Sequence, residues 1–256
     1  MALNLSVCIE MIFRDLPMEE RLRSVAAAGY KGFEFWGWDN KDLDAIVKLA
    51  AELDLTLAGF SCNSQGALVN PANTAAWVAG TKVSIDRAAS VGDKTLIVTT
   101  GQEIPELSRW AQHDSIVKGL TQVAPYAEDK GVTLVLEPLN TLVDHKGYYL
   151  ATSAEGLDIV RAVDSPAVKL LYDVYHQQIT EGYLLPTIEA NLDLIGHFHI
   201  ADVPGRHEPG TGEINYANIF KFLADSPYTA WVGLEFSPTG DPAEALAKVR
   251  QIAGQS

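Results

Sequence analysis

Cysteine is scarce in this chain: Cys8 and Cys62 are the only two in 256 residues. Neither belongs to a CxxC pair, and no Cys/His pattern has zinc-finger spacing. That argues against a disulfide framework and fits a reducing compartment. Cationic residues are scarce as well, with 19 Lys and Arg against 33 Asp and Glu and a formal net charge of −14. So acidic a surface repels phosphate backbones and anionic lipid, which argues against nucleic-acid and membrane partners. Long apolar runs are missing, so no bilayer span is expected. The opening "MALNLSVCIEMIFRDLP" lacks a basic start followed by a long apolar stretch, so no signal peptide is read and the cytoplasm is the expected location. No GxGxxG or GxxxxGK[ST] motif follows the first candidate strand, which removes the usual nucleotide cradle. Nor is there a Pro/Ser-rich linker, a low-complexity tract or a break in composition. Residues 1–256 read as one domain, and a homo-oligomer is left open.

What the chain does contain is alternation. Hydrophobic residues make up 47%, enough for a sizeable core. Candidate strands fall at 5–11, 32–37, 56–62, 95–100, 132–138, 168–174, 195–202 and 230–236. Many are apolar on successive residues, the pattern of strands covered on both faces in a parallel sheet. Amphipathic segments lie between them. "PMEERLRSVAAAGY" starts at Pro17 and stops at Gly29, and "DLDAIVKLAAELDL" carries Leu43, Ile46, Val47 and Ala50 on one stripe. Another segment ends at Gly131 with Pro125 expected to kink it, and the helix signal near 184–194 is weak. Eight strands alternating with about eight helices in ~250 residues predict an α/β fold of the (β/α)8 TIM-barrel type, with a doubly wound open sheet as the runner-up.

The last four candidate strands each carry a polar group near their end. "TLVLEPLN" ends its strand on Glu137, "LLYDVYH" on Asp173, "HFHIAD" carries His199 and Asp202, and "VGLEF" carries Glu235. An isolated buried charge is costly unless it is paired or binds a metal. In a (β/α)8 barrel these ends converge on the C-terminal face, where such folds keep their chemistry. Separate buried salt bridges are the ordinary alternative, yet no Lys or Arg lies within these strand ends. Glu137, Asp173, His199 and Glu235 therefore form a candidate tetrad for one divalent cation. Three carboxylates and an imidazole suit Mg2+ or Mn2+, with Mn2+ the more tolerant of histidine. Asp202 reads as a support for the ligands or a substrate contact. His197 reads as a hydrogen-bonded core histidine, and His176 as a loop residue above the barrel that touches substrate oxygens.

Other groups surround this mouth. In "PGTGEINY", Pro209, Gly210 and Gly212 give turns and Asn215 caps the next helix. The loop would bring Arg206, His207 or Glu208 over the site, with Arg206 able to pair a substrate carboxylate. Trp36, Trp38 and Phe13 offer an aromatic wall or ordinary packing. Asn63 and Gln65 offer polar loop groups.

The strings "NLSVCIEMIF", "LEPLN", "YDVYHQQ", "IADVPGRHEPGTGEINY" and "WVGLEF" run in order over nearly the whole chain. In them the chain resembles the hydroxypyruvate isomerase family, which also includes 2-oxo-tetronate isomerases, within the xylose-isomerase-like barrels of sugar isomerases and epimerases. The resemblance implies Glu137 and Glu235 as acid/base residues and Glu137, Asp173, His199 and Glu235 as metal ligands. His176, Asp202, Arg206 and Glu208 would face substrate. The implied reaction is that of an aldose–ketose type isomerase working through an enediolate, such as hydroxypyruvate to 2-hydroxy-3-oxopropanoate. Family members often carry glutamine at the position of His199, and histidine there is the habit of ketose 3-epimerases. A 3-epimerase with the same tetrad is therefore the alternative. A non-catalytic sugar-binding barrel would not require two opposed glutamates. A DNA-repair endonuclease of this superfamily would need three metals, many more histidines and a cationic face, against six histidines and −14 here.

Overall fold

The successive apolar residues read as strands are strands covered on both sides. In the computed structural model, which describes residues 2–63 and 66–255, they close into one parallel barrel in sequence order. The strands are β1 (Asn4–Cys8), β2 (Gly32–Phe35), β3 (Thr56–Ser61), β4 (Thr95–Val98), β5 (Thr133–Leu136), β6 (Val168–Asp173), β7 (Ile195–Ile200) and β8 (Trp231–Leu234). The ring shuts where β1 pairs with β8, from Asn4↔Trp231 to Val7↔Leu234. A doubly wound sheet has open edges, so closure removes the runner-up.

Around the barrel run α1 (Met18–Ala27), α2 (Leu43–Glu52), α3 (Thr74–Ser90), α4 (Arg109–Lys130), α5 (Ser153–Val163), α6 (Val174–Thr180), α7 (Leu184–Asn191), α8 (Tyr216–Asp225) and α9 (Pro242–Ile252). Local chemistry sets their limits. Thr152 caps α5 by accepting from Glu155 N, and Asn215 caps α8 by accepting from Asn218 N. Gly131 ends α4 at φ 67°, a left-handed position that suits glycine. The assigned helix α4 passes through Pro125 unbroken, and the weak signal near 184–194 becomes α7 and a following 3-10 turn. Helix α6 has no counterpart in the periodicity because it is seven residues long.

The strands are shorter than their apolar runs, and the difference positions the chemistry. Glu137 and Glu235 sit one residue beyond β5 and β8, yet their backbone still joins the ladder, Glu137 N to Val98 O at 3.0 Å and Glu235 N to Ile200 O at 3.1 Å. Their carboxylates are thus held at fixed height by the sheet. Among the described residues no helix is long and apolar enough to cross a membrane.

Candidate active site

Four side chains from four consecutive strands meet at the C-terminal end of the barrel. Glu137, Asp173, His199 and Glu235 each offer a ligand atom, and these atoms lie within 4.8 Å of one another. All four are buried, none above 7% exposed. His199 Nδ1 is 3.3 Å from Glu137 Oε1 and 3.4 Å from Glu235 Oε2. Asp173 ends β6 and caps α6, its Oδ1 accepting from Tyr175 N and His176 N. The strand-to-helix junction therefore fixes its carboxylate.

Three carboxylates at this spacing push on each other's protonation. Burial raises Glu137, opposed by His199 and helped by Glu235 and Asp173, and the net shift is upward. Asp173 is raised for the same reason, against Arg206 and His199. Glu235 goes the other way: burial would raise it, but His199, Arg206 and the Trp36 indole outweigh that. Two glutamates whose surroundings push them in opposite directions are suited to separate acid and base roles. The donor set itself, oxygen-rich with one imidazole, is one that could hold a divalent cation.

No Lys or Arg lies within these strand ends. The loop after β7 supplies one. Arg206 Nη2 forms a short ion pair with Glu235 and lies 3.9 Å from Asp173 Oδ2, and its guanidinium sits 5.2 Å from the Tyr175 ring centroid. A left-handed backbone at Arg206, φ 57°, turns the side chain inward. Trp36 reaches the same glutamate, donating from Nε1 to Glu235 Oε1 at 2.7 Å while remaining 43% exposed. Its role is thus more specific than a wall or filler. Trp38 Nε1 donates instead to Ser84 Oγ, which also accepts from Asn63 N. Gln65 lies outside the described residues.

His176 is not on a loop. It lies in α6, fully buried, where the capped helix carries it back into the barrel end. Its Nδ1 accepts from Asn140 N at 3.2 Å and faces Asn140 Nδ2 at 2.7 Å. With two donors on Nδ1, the ring proton belongs on Nε2, which is 3.5 Å from Asp173 Oδ2. Burial, then Arg206, push His176 down to about 3, so it is a neutral donor aimed at the acid cluster.

Two acids expected to face substrate are spent on the loop. Asp202 Oδ2 accepts from the backbone N of Gly210, Thr211 and Gly212, and Oδ1 from that of Val203 and Ile214. Glu208 accepts from Thr239 N at 3.0 Å and Thr239 Oγ1 at 2.6 Å, tying the loop to the segment after β8. His207 Nδ1 makes a similar tie to Ser237 O at 2.7 Å. These contacts shape the turn that delivers Arg206. The predicted turn residues explain the anchor: a Cβ on Gly212 would lie 2.0 Å from Val203 O.

The model of xylose isomerase-like TIM barrels matches residues 22–252. The chain belongs to that family. A hydroxypyruvate isomerase from Escherichia coli K12 is 31% identical over 243 residues, 92% of this chain and 94% of the relative. A 2-oxo-tetronate isomerase from Cupriavidus necator is 29% identical over 258 residues, 96% of this chain and 97% of the relative. A crystal structure described as an AP endonuclease, family 2, from Brucella melitensis superposes with a TM-score of 0.91 at 29% identity, over 98% of this chain and 99% of the other. D-psicose 3-epimerase from Clostridium cellulolyticum H10 superposes at 0.83 with 20% identity, over 98% and 99%, a likeness of fold alone.

One buried acid of this barrel escaped the reading of strand ends. Glu34 lies inside β2, 2% exposed, with His197 Nε2 and His199 Nε2 each 3.1 Å from its carboxylate. Burial would raise it, but His199 and His197 outweigh burial and hold it well below the usual range. The signal was present in "GFEFWG", an acid within an apolar strand, the same pattern that marked Glu137.

Proposed function

We propose that this protein is a metal-assisted isomerase of a small oxo acid or sugar, of the hydroxypyruvate or 2-oxo-tetronate isomerase kind. The observation that carries the reading is the convergence of Glu137, Asp173, His199 and Glu235, with ligand atoms within 4.8 Å of one another and all buried. These four residues would hold a Mg2+ or Mn2+ ion. When bound, the cation polarises a substrate carbonyl and favours the negative charge that develops on it. The residues of the chain do the rest. Moving a carbonyl to the neighbouring carbon requires a proton to leave the carbon beside it, giving an enediolate, and to return elsewhere. Glu235, contacted as a carboxylate by Arg206 and the Trp36 indole, is suited to take that proton. Glu137, raised by burial, is suited to carry one. His176 would donate from Nε2 to a substrate oxygen, and Arg206 would pair with a substrate carboxylate once it turns from Glu235. Asp202 and Glu208 hold the loop rather than the substrate.

His199 favours one second reading, a ketose 3-epimerase, in which the proton returns to the same carbon from the other face. The acidic balance, 33 carboxylates against 19 basic residues, supports a small-molecule substrate rather than nucleic acid. The same balance and the two free cysteines fit a cytoplasmic setting.

The test is a panel of hydroxypyruvate, 2-oxo-tetronates and ketoses in D2O, followed by NMR, with metal-stripped protein and added Mg2+ or Mn2+. The expected result is metal-dependent conversion with deuterium beside the carbonyl, and no cutting of an abasic-site DNA duplex by the same preparation. A shifted carbonyl means isomerase and an inverted carbon means epimerase. Absence of exchange on every substrate, or metal-dependent cutting of the duplex, overturns the reading.

A further inference from the structure

Beneath the tetrad, the barrel interior holds polar side chains that the proposed chemistry does not use. Ser6 Oγ donates to Glu34 Oε2 at 2.8 Å, and His197 Nε2 lies 3.1 Å from the same oxygen. His199 belongs to both layers. Its Nδ1 faces Glu137 and Glu235, and its Nε2 lies 3.1 Å from Glu34 Oε1. The room for this contact comes from β8. Gly233 pairs with His199 on one side and with Ser6 on the other. A Cβ there would lie 2.3 Å from Glu34 Oε1 and 2.7 Å from His199 Cδ2.

Three roles are open to such a cluster. It could be a structural ion pair, a second cation site, or a support that aims His199. Glu34, His197 and His199 do bring ligand atoms within 4.8 Å of one another. A cation there, however, would need the lone pair of His199 Nε2 while the tetrad uses that of Nδ1, and a neutral imidazole has one lone pair, not two. Support has no such conflict. The contact is electrostatic rather than a formed hydrogen bond, since neither Glu34 Oε1 nor His199 Nε2 has a hydrogen-bond partner. A proton kept on Nε2 by the facing Glu34 charge leaves the Nδ1 lone pair for a cation among the acids, and a carboxylate behind a ligating histidine strengthens it as a ligand.

We propose that Glu34 is a positioning residue, which holds His199 by Nε2 so that Nδ1 serves as a metal ligand, and that Gly233 is the gap through which it reaches. The inference rests on the proposed cation site. The depth of the carboxylate fits this, since Ser6 and His197 serve Oε2 and the His199 ring stands against Oε1, which has no other partner.

The experiment is a Mn2+ titration followed by electron paramagnetic resonance, with the visible spectrum of the Co2+ form, on wild type, Glu34→Gln and Gly233→Ala. Thermal melts confirm that each variant folds. Wild type should bind one ion per chain. Glu34→Gln should bind ~10–100-fold more weakly, the usual cost of losing such an outer partner, with shifted Co2+ bands as the ring turns. Gly233→Ala keeps every polar group and should reproduce both changes by displacing the carboxylate. A purely structural Glu34 would lower the melting temperature and leave affinity and spectrum alone, which overturns the inference while the cation site stands. Two ions in wild type, with one lost in Glu34→Gln, also overturn it by making Glu34 a ligand. A wild type that binds no ion removes the cation site itself, and the inference with it.

Discussion

The two halves of the barrel treat buried acids differently. From β5 onward, Glu137, Asp173 and Glu235 share one imidazole and one guanidinium and perturb one another. Among the described residues, the strands β1 to β4 and the segments joining them bury two acids, Glu34 and Asp93. Glu34 reaches across to the histidines of β7. Asp93 lies just before β4 at the opposite end of the barrel, where Oδ1 accepts from Thr95 N at 3.2 Å and Oδ2 has no partner. Burial raises both, and their partners decide the outcome. Two imidazoles hold Glu34 below the usual range, whereas burial outweighs the backbone donors at Asp93 and pushes it up to about 8. The partner decides whether a buried carboxyl carries charge.

The largest expected effect tests the second half. Glu137→Gln and Glu235→Gln keep shape but cannot exchange a proton, so each should lose ~10²–10⁴-fold in turnover at saturating metal. Deuterium exchange separates them. If Glu235 starts the reaction, Glu235→Gln should neither exchange nor convert, while Glu137→Gln should still wash deuterium into substrate without forming product. Near-wild-type turnover in either variant would leave that glutamate a metal-holding or structural group.

A smaller effect separates the acids of the site from those of the loop. Asp202→Asn replaces a carboxylate that accepts from five backbone N–H groups. Some of those donors lose their acceptor, at about 1–3 kcal/mol for each that stays out of water, so a net loss of ~2 kcal/mol is expected by denaturant titration. Glu137→Gln should show no such loss, because its amide removes a charge that burial already disfavours. An Asp202→Asn protein of full stability but little activity would return Asp202 to the substrate side.

How much of this was legible follows from sequence distance. The alternation of strands and helices is local, and so was the barrel. Glu137, Asp173, His199 and Glu235 showed themselves because each interrupts or ends an apolar run, and the fold class says where such ends converge. Glu34 interrupts a run too, but its histidine partners are 163 and 165 residues away, beyond any spacing argument. Asp202 had the same appearance as Glu235, and the difference lies in a glycine-rich loop whose backbone wraps around it. Arg206 was visible as a loop cation, although nothing local shows the left-handed turn that aims it at Glu235. The sequence pattern alone puts His176 on a loop, because seven residues give too little period to reveal α6.

The smallest effect concerns Asp93, and it has a definite sign. An unfolded chain loses the Asp93 proton near the ordinary value of about 4, whereas the folded chain keeps it up to about 8. Between those values the unfolded state binds fewer protons, so this residue lowers stability progressively as pH rises from about 4 to about 8. Asp93→Asn should remove that fall, leaving activity unchanged and making the variant more stable than wild type at pH 8 than at pH 5 by comparison of denaturant midpoints. Glu34→Gln should act in the opposite direction. A carboxylate held below its ordinary range contributes stability above about pH 4, so its loss should weaken the fold at neutral pH. Parallel pH curves for wild type and Asp93→Asn would mean that Asp93 is ionised when folded. It would then need a cationic partner, and the place to look is the cavity of about 1060 Å³ that it lines with Lys94, Lys169 and Trp231.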